Sequence, residues 1–535
     1  MRKLLVANRG EIALRIFRAC RAEGIASVAV VAPDDRGSLH ARRADDVLEV
    51  ASYLDAAEHV RAARESGADA VHPGYGFLAE SAAFAEAVSG AGLTWVGPPP
   101  SALRAGGDKL NAKEIARVAG VPVLPSGAPE DIGYPLLVKA AAGGGGRGMR
   151  VVRTQAELED AIAAARREAA AAFGDDTVFF ERYLERPRHV EVQLLADKRG
   201  TILALGEREC SVQRRHQKVL EESPSAALDQ ELRAQMSDAA VAFARAIGYE
   251  NAGTAEFMLD GREFYFLELN ARIQVEHPVT ELVTGVDLVR EQLRIARGEH
   301  LVMEPGAAGH AVEVRLYAED SRTFLPQAGT IELLSLPHAI RVDAGVEEGD
   351  VVGTSYDPMI AKLVAFGDTR RKAYDALAAA LRETEVGGVT TNLPFLRWLV
   401  SHPIVREGLA TTAFLVEHPP LSEHSTRAPD KVWSGSWRLN LPAPAPLAAP
   451  SLEASALGHG PVSEQSAVTA PMPGTVIRVL VAPGALVTAR QPLVVLEAMK
   501  METPLVSPYD ATVRAIHVEE GDRVAGGAVL VELEE

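Results

Sequence analysis

Tyr134-Pro-Leu-Leu-Val-Lys139, running into Ala140-Ala-Ala-Gly-Gly-Gly-Gly-Arg-Gly-Met149, is an apolar stretch that ends on a lysine and opens into a loop carrying five glycines. The apolar part has the length and flanks of a buried strand. With no Cβ atoms in the way, the backbone amides of such a loop can wrap a polyphosphate, and Lys139 adds a point charge at its mouth. The loop does not close on Gly-Lys-Ser/Thr, so it is not the Walker arrangement. Taken alone, it reads equally well as a linker.

The neighbours on both sides favour the phosphate reading. Gly107-Asp108-Lys109, with a second lysine, lies upstream, and Phe180-Glu181-Arg182-Tyr183-Leu184 lies downstream. Further on, Thr254-Ala255-Glu256-Phe257 and Phe264-Tyr-Phe-Leu-Glu268-Leu-Asn270 carry carboxylates. Strand alternation puts Glu268 and Asn270 on one face, and Glu256 can meet them from an adjacent antiparallel strand. Hard oxygen ligands on one face suit Mg²⁺, or Mn²⁺, bridging nucleotide phosphates. Solvated glutamates on an open sheet are the alternative, which Phe264, Phe266 and Leu267 disfavour. This region resembles the ATP-grasp fold. The resemblance implies that Lys109, Lys139, Gly145 and Gly146 meet the ATP phosphates, and that Glu181, Tyr183 and Leu184 form the adenine hinge.

Immediately after Asn270 comes Ala271-Arg272-Ile273-Gln274-Val275-Glu276-His277-Pro278, the most specific stretch of the chain. With Arg188-His-Val-Glu-Val-Gln193 and Gln213-Arg-Arg-His-Gln-Lys218, it makes residues 1–417 similar to biotin carboxylases. The resemblance implies that Arg272 and Lys218 hold bicarbonate and that Glu276 is the base that deprotonates it. It further implies that Arg341 stabilises a biotin enolate and that His189, Gln213 and His216 join Glu181 at the nucleotide. Bicarbonate is a weak nucleophile, so a base beside a guanidinium fork assists its attack on a γ-phosphate. Closing a glycine lid over carboxyphosphate would keep water away. Arg214 and Arg215 read as surface or as dimer contacts, and Cys210, with no adjacent base, reads as packing.

Toward the amino end, Lys3-Leu-Leu-Val-Ala7 is a buried strand, Asn8-Arg9-Gly10 a turn, and Glu11 to Ala22 an amphipathic helix with Ile12, Ile16, Ala19 and Cys20 on one face. Further strand and helix alternation, with a Gly74-Tyr75-Gly76 turn, predicts a doubly wound domain whose ligands lie at the strand carboxyl ends. The expected divisions are 1–108, this domain; 109–310, the ATP-grasp domain with a mobile lid over about 130–186; and 311–417, an α+β C-terminal subdomain. Residues 418–461, with Leu441-Pro-Ala-Pro-Ala-Pro-Leu-Ala-Ala-Pro450, read as a semi-stiff tether. Fully extended, it would reach on the order of 100 Å.

Residues 462–535 contain an internal repeat: 470–497 and 507–534 align without a gap at an offset of 37. Pro471 matches Pro508, Gly484 matches Gly521, and Leu493 matches Leu530. Ala498-Met499-Lys500-Met501 falls in the joint between the copies. Short alternating runs between Pro and Gly predict a small all-β barrel of two half-units related by a pseudo-dyad. The unit resembles biotinyl domains, which implies biotin on Lys500; lipoyl domains share the fold but flank their lysine differently. A merely solvated lysine between two methionines is the bland alternative.

The chain has 535 residues, 47% of them apolar and 24% charged, so several soluble domains are expected. A formal charge of -18 argues against nucleic acid as a partner. Two distant cysteines, no signal peptide and no membrane-spanning apolar run make the cytoplasm the expected location. The resemblances together imply the α subunit of an acyl-CoA carboxylase, forming carboxybiotin on Lys500 from ATP and bicarbonate. A biotin protein ligase, a separate carboxyltransferase β subunit and a homo-oligomer are the implied partners, with acetyl-, propionyl- and methylcrotonyl-CoA all open. A different ATP-grasp ligase with a lipoyl-like arm and a non-catalytic carrier are the rival readings.

Overall fold

The structure, a computed structural model, describes residues 1–141, 149–173, 175–214, 217–303, 306–419, 467–471, 474–498, 501–524 and 527–534. Gly145, Gly146, Arg215, His216, Lys500 and all but the first two residues of the 418–461 segment lie outside them.

The amino-terminal unit is a five-stranded sheet in the order Asp46–Glu49, Ala26–Val31, Lys3–Val6, Ala70–His72, Thr94–Trp95, parallel throughout. Leu4, Leu5 and Val6 are fully buried because helices cover both faces. The helices start where the sequence offers caps: Asp55 accepts from the amides of Ala57 and Glu58 ahead of Ala56–Ser66, and Gly67 closes that helix at φ +70. At the strand carboxyl ends, the Asn8 side-chain amide donates to the carbonyls of Pro73 and Tyr75, both at 2.7 Å. Gly74 is required there, because a Cβ would lie 2.8 Å from Asn8 Nδ2 and φ is +64.

The central sheet has eight strands. Its order is Glu263–Asn270, Asn251–Asp260, Arg188–Ala196, Ile202–Arg214, Gln217–Ser223, His310–Tyr317, Met359–Gly367, Arg341–Ala344. One ladder therefore crosses the expected division at 310/311 without a break, since Glu221 pairs with Glu313 and Glu222 with Val312. Separately, the strands Leu136–Ala140, Arg150–Val152 and Val178–Arg182 form a three-stranded sheet. Its own small core is Leu136, Val138, Val152 and Ala165, built with the helix Leu158–Phe173.

The carboxyl-terminal unit is two four-stranded sheets. One runs Ala467–Thr469, Val529–Glu534, Ala511–Ile516, Leu486–Val487; the other runs Met501–Val506, Pro492–Ala498, Gly474–Val479, Arg523–Val524. Displacing each strand of one by 37 residues gives its counterpart in the other, as the repeat requires. Ala498 pairs with Met501 at the end of a hairpin, on either side of Met499 and Lys500.

Candidate active site

Glu256 and Glu268 face each other across an antiparallel pair, and Thr254 faces Asn270. Burial and the Glu256 charge both raise the Glu268 carboxyl. A divalent cation would relieve that repulsion, so the oxygen-rich face fits Mg²⁺. As arranged, Glu256 Oε1 accepts from Lys218 Nζ at 2.8 Å and from Asn270 Nδ2 and Gln274 Nε2 at 2.7 Å each, and Oε2 lies 2.9 Å from His189 Nε2. Asn270 Oδ1 accepts from Arg272 Nη2 at 2.8 Å. The predicted metal face and the predicted bicarbonate arginine are thus one hydrogen-bonded group.

Lys218 is the centre of that group. Its ammonium meets Glu191, Glu256 and, at 2.7 Å, Glu276. Glu276 also accepts from Arg315 Nη2 at 3.1 Å. Burial works against the charged form of Glu276, yet Lys218, Arg315 and Arg208 outweigh it and hold the carboxyl well below its usual range. Beneath the group lies Arg208, fully buried. It donates to Glu191, Gln193, Thr254, Gln274 and Thr280, which fixes three strands and the helix His277–Thr284 relative to one another. Arg272 is half-buried and also meets Glu80, a loop residue of the amino-terminal unit, at 3.3 Å.

The expected nucleotide residues fall into two groups. Lys139 Nζ donates to Glu181 at 2.6 Å, and burial followed by the nearby Lys109 lowers the lysine to about 8. Lys109 opens its helix under an Asp108 cap, whose carboxylate accepts from the Asn111 amide at 3.0 Å. Tyr183 and Leu184 follow directly after the edge strand Val178–Arg182, the Tyr183 amide donating to Pro135 O at 3.1 Å. His189 and Gln213, by contrast, stand beside Glu256, with Gln213 Nε2 3.4 Å from His189 Nδ1. Glu256 keeps His189 above its ordinary range in spite of burial.

Arg341 is held apart from the Lys218 group, paired with Glu281 at 2.7 Å and Asp343 at 2.8 Å. A row of charges joins the two places. On one face of the central sheet, Glu313 lies opposite Glu221, Arg315 opposite Lys362, and Lys362 opposite Asp343, two residues beyond Arg341.

Several of these residues carried no role in the sequence reading. Glu191 and Gln193 share a face with His189 by strand alternation, a signal present in Arg188-His-Val-Glu-Val-Gln193. Glu313 and Arg315 alternate in the same way within Ala311-Val-Glu-Val-Arg-Leu-Tyr-Ala318. Lys113 one turn beyond Lys109 gave no such hint; it pairs with Glu181, and burial with Lys139 beside it lowers it to about 6.

An ATP-grasp sheet with this lysine, carboxylate and arginine set, followed by a twofold β unit with a lysine at its joint, defines a carboxylase joined to its own carrier domain. Family models match along the chain: "Biotin carboxylase, N-terminal domain" over residues 1–103, "Carbamoyl-phosphate synthase L chain, ATP binding domain" over 108–304, "Biotin carboxylase C-terminal domain" over 313–417, and "Biotin-requiring enzyme" over 466–533. The biotin-dependent acyl-coenzyme A carboxylase alpha3 subunit of Mycobacterium leprae is 42% identical over 99% of this chain and 98% of that subunit. The chain belongs to the family of biotin-dependent acyl-CoA carboxylase alpha subunits, which are ATP-dependent ligases. The mitochondrial methylcrotonoyl-CoA carboxylase subunit alpha of rice is 47% identical over 77% of this chain, and the match spans 60% of that protein. Among solved structures, biotin carboxylase from Campylobacter jejuni is 39% identical, with a TM-score of 0.76, over 78% of this chain and 99% of that one. The biotin carboxylase domain dimer of Hydrogenobacter thermophilus 2-oxoglutarate carboxylase, in complex with MgADP and bicarbonate, is 42% identical with the same TM-score. Among the described residues, no helix is long and apolar enough to cross a membrane.

Proposed function

We propose that the chain catalyses the ATP-dependent carboxylation, with bicarbonate, of biotin carried on Lys500. The convergence of Lys218, Arg272, Asn270, Glu256 and Glu276 into one hydrogen-bonded group carries this reading. Lys109 and Lys139 would hold the ATP phosphates, Glu181, Tyr183 and Leu184 the adenine, and Glu256, Glu268 and Asn270 the Mg²⁺ that neutralises phosphate charge. Arg272 and Lys218 would take bicarbonate. Binding it would divert part of the Lys218 charge from Glu276, freeing the carboxylate to accept the bicarbonate proton as oxygen attacks the γ-phosphate. Carboxyphosphate formed there would be shielded when the unit spanning 130–186 closes. ADP departs as the γ-phosphate is taken, and biotin, when bound, would supply the ureido nitrogen that takes up the carboxyl group, its proton passing to the phosphate released from carboxyphosphate. Arg341 would stabilise the negative charge developing on the ureido oxygen, which requires the guanidinium to leave Glu281 and Asp343 at least in part.

The tether and carrier unit would then deliver the carboxyl group to a separate carboxyltransferase β subunit acting on an acyl-CoA. The relatives' description as alpha subunits supports that division of labour. Intact mass after co-expression with a biotin ligase, with ATP hydrolysis measured with and without bicarbonate, tests the proposal. One biotin added, absent in Lys500→Ala, and bicarbonate-dependent turnover are expected. An unmodified lysine, or turnover indifferent to bicarbonate, would overturn it.

A further inference from the structure

Behind the Glu276 carboxylate, two more carboxyl groups are buried where neither has a full set of partners. Glu221 and Glu313 are both fully buried and lie directly opposite each other in an antiparallel ladder. None of their four oxygens accepts a directed hydrogen bond. Glu221 is in an ion pair with Arg315 Nη2, the same nitrogen that donates to Glu276 at 3.1 Å. Two buried carboxyl groups directly opposite each other, one of them competing with Glu276 for a single guanidinium, cannot both remain ionised at low cost.

The remaining charged and titratable groups facing the pair are few. Cys210 comes from the strand Ile202–Arg214, and Lys218 from the strand of Glu221 itself. Glu276 comes from the start of the helix above, Lys362 from the strand Met359–Gly367 beyond Glu313, and Tyr317, beside Arg315, from the strand of Glu313 itself. Burial drives Glu221 up to about 7, which Arg315 only partly opposes, and holds Glu313 well above the usual carboxylate range in spite of Lys362 and Arg315.

We propose that Glu313 keeps its proton while Glu221 titrates, and that Glu221, acting through Arg315, sets the basicity of Glu276 toward bicarbonate. This rests on the carboxylase reading above. When Glu221 is neutral, Glu276 has no ionised rival for that Arg315 nitrogen, and the guanidinium keeps it a weak base. When Glu221 ionises as pH rises, it draws on Arg315 and adds a negative charge behind Glu276, so Glu276 binds a proton more readily. The coupling is reciprocal, and protonation of Glu276 lowers the affinity of Glu221 for its own proton. Glu221 and Glu313 are positioning residues in this scheme, since they reach substrate only through Arg315 and Glu276.

The test is the pH profile of kcat/KM for bicarbonate in the full biotinylated chain, with rates expressed per bicarbonate ion present. The native protein should show an inflection near the Glu221 titration. Glu221→Gln should lose it, matching the native rate on the acid side and falling on the order of tenfold below it on the alkaline side, with KM for ATP unchanged. Glu313→Gln replaces one neutral side chain by another and should leave the inflection in place. Infrared difference spectra between about pH 6 and about pH 9 give a second readout that needs no turnover: a buried carboxylic-acid C=O band lost with rising pH in the native protein and missing in Glu221→Gln. An unchanged inflection in Glu221→Gln, or no such band, would overturn the proposal. Absence of bicarbonate-dependent hydrolysis in the native protein would instead overturn the carboxylase reading, and the infrared band would still decide whether the acid pair exists.

Discussion

Lys218 shows what a single ammonium does when three carboxylates converge on it. Each of its partners has a second cation or ring: Arg208 for Glu191, His189 for Glu256 and Arg315 for Glu276. Replacing Lys218 by Met therefore leaves no carboxylate entirely unpaired, and the expected loss is about 3 kcal/mol, at the lower end for breaking a buried charge cluster. A fall of several degrees in the thermal midpoint of the carboxylase portion checks this. Loss of bicarbonate-dependent ATP hydrolysis should accompany it, and Lys218→Arg should restore stability in part and turnover hardly at all. A planar fork cannot meet three carboxylates arranged around a point. The residues of this group that stood in short motifs, Arg272, Glu276 and Lys218, were legible in the sequence. Arg315, Glu221 and Glu313 were not, because a charged residue within an alternating strand has the same appearance whether it faces water or a buried row of partners.

At the scale of elements, the strand Asn251–Asp260 positions Thr254 against Arg208 and Glu256 against Lys218. Its place is set by Gly253, where a Cβ would come within 2.1 Å of the Tyr249 hydroxyl and 2.4 Å of its Cζ. Tyr249 is buried, and its hydroxyl donates to Ala252 O at 2.9 Å, so the ring has little room to withdraw. Gly253→Ala is expected to cost about 1–3 kcal/mol by overpacking and to weaken Mg-dependent nucleotide binding by displacing Glu256. Adding Tyr249→Phe should recover little, because the ring carbons remain in the way. Denaturation and nucleotide titration of the single and double variants check both statements. The helix Gly10–Ala22 was legible from its apolar face. The ladder across residues 310 and 311 was not, since the pairing of Gln217–Ser223 with His310–Tyr317 joins segments about ninety positions apart and no local pattern specifies that register.

Across the whole molecule, the amino-terminal sheet and the carboxylase body are joined by buried charge. Lys362, fully buried, reaches Glu11 at 3.2 Å and the Val275 carbonyl at 2.8 Å, while Arg9 pairs with Asp35 at 2.6 Å and lies over the Tyr356 ring at 4.3 Å. The same body buries His40 and His72 as neutral rings. Burial lowers each to about 4, and His277 is held lower still. In the unfolded chain a histidine takes up its proton near 6.5. Stability from these rings is therefore complete above about pH 6.5 and is lost progressively as pH falls toward about 4, by as much as about 3 kcal/mol for each of His40 and His72. The carrier unit contains His517, which is exposed and paired with Glu532. Among its described residues no histidine is buried, so no neutral ring contributes to its stability over the same interval. Calorimetry of the full chain between about pH 7 and about pH 4.5 should thus show a carboxylase transition that moves down by many degrees past a carrier transition that stays in place. Two transitions that fell together would mean that the two units unfold as one. That would require contacts between them strong enough to overcome the separation that a long Pro-rich segment would otherwise permit.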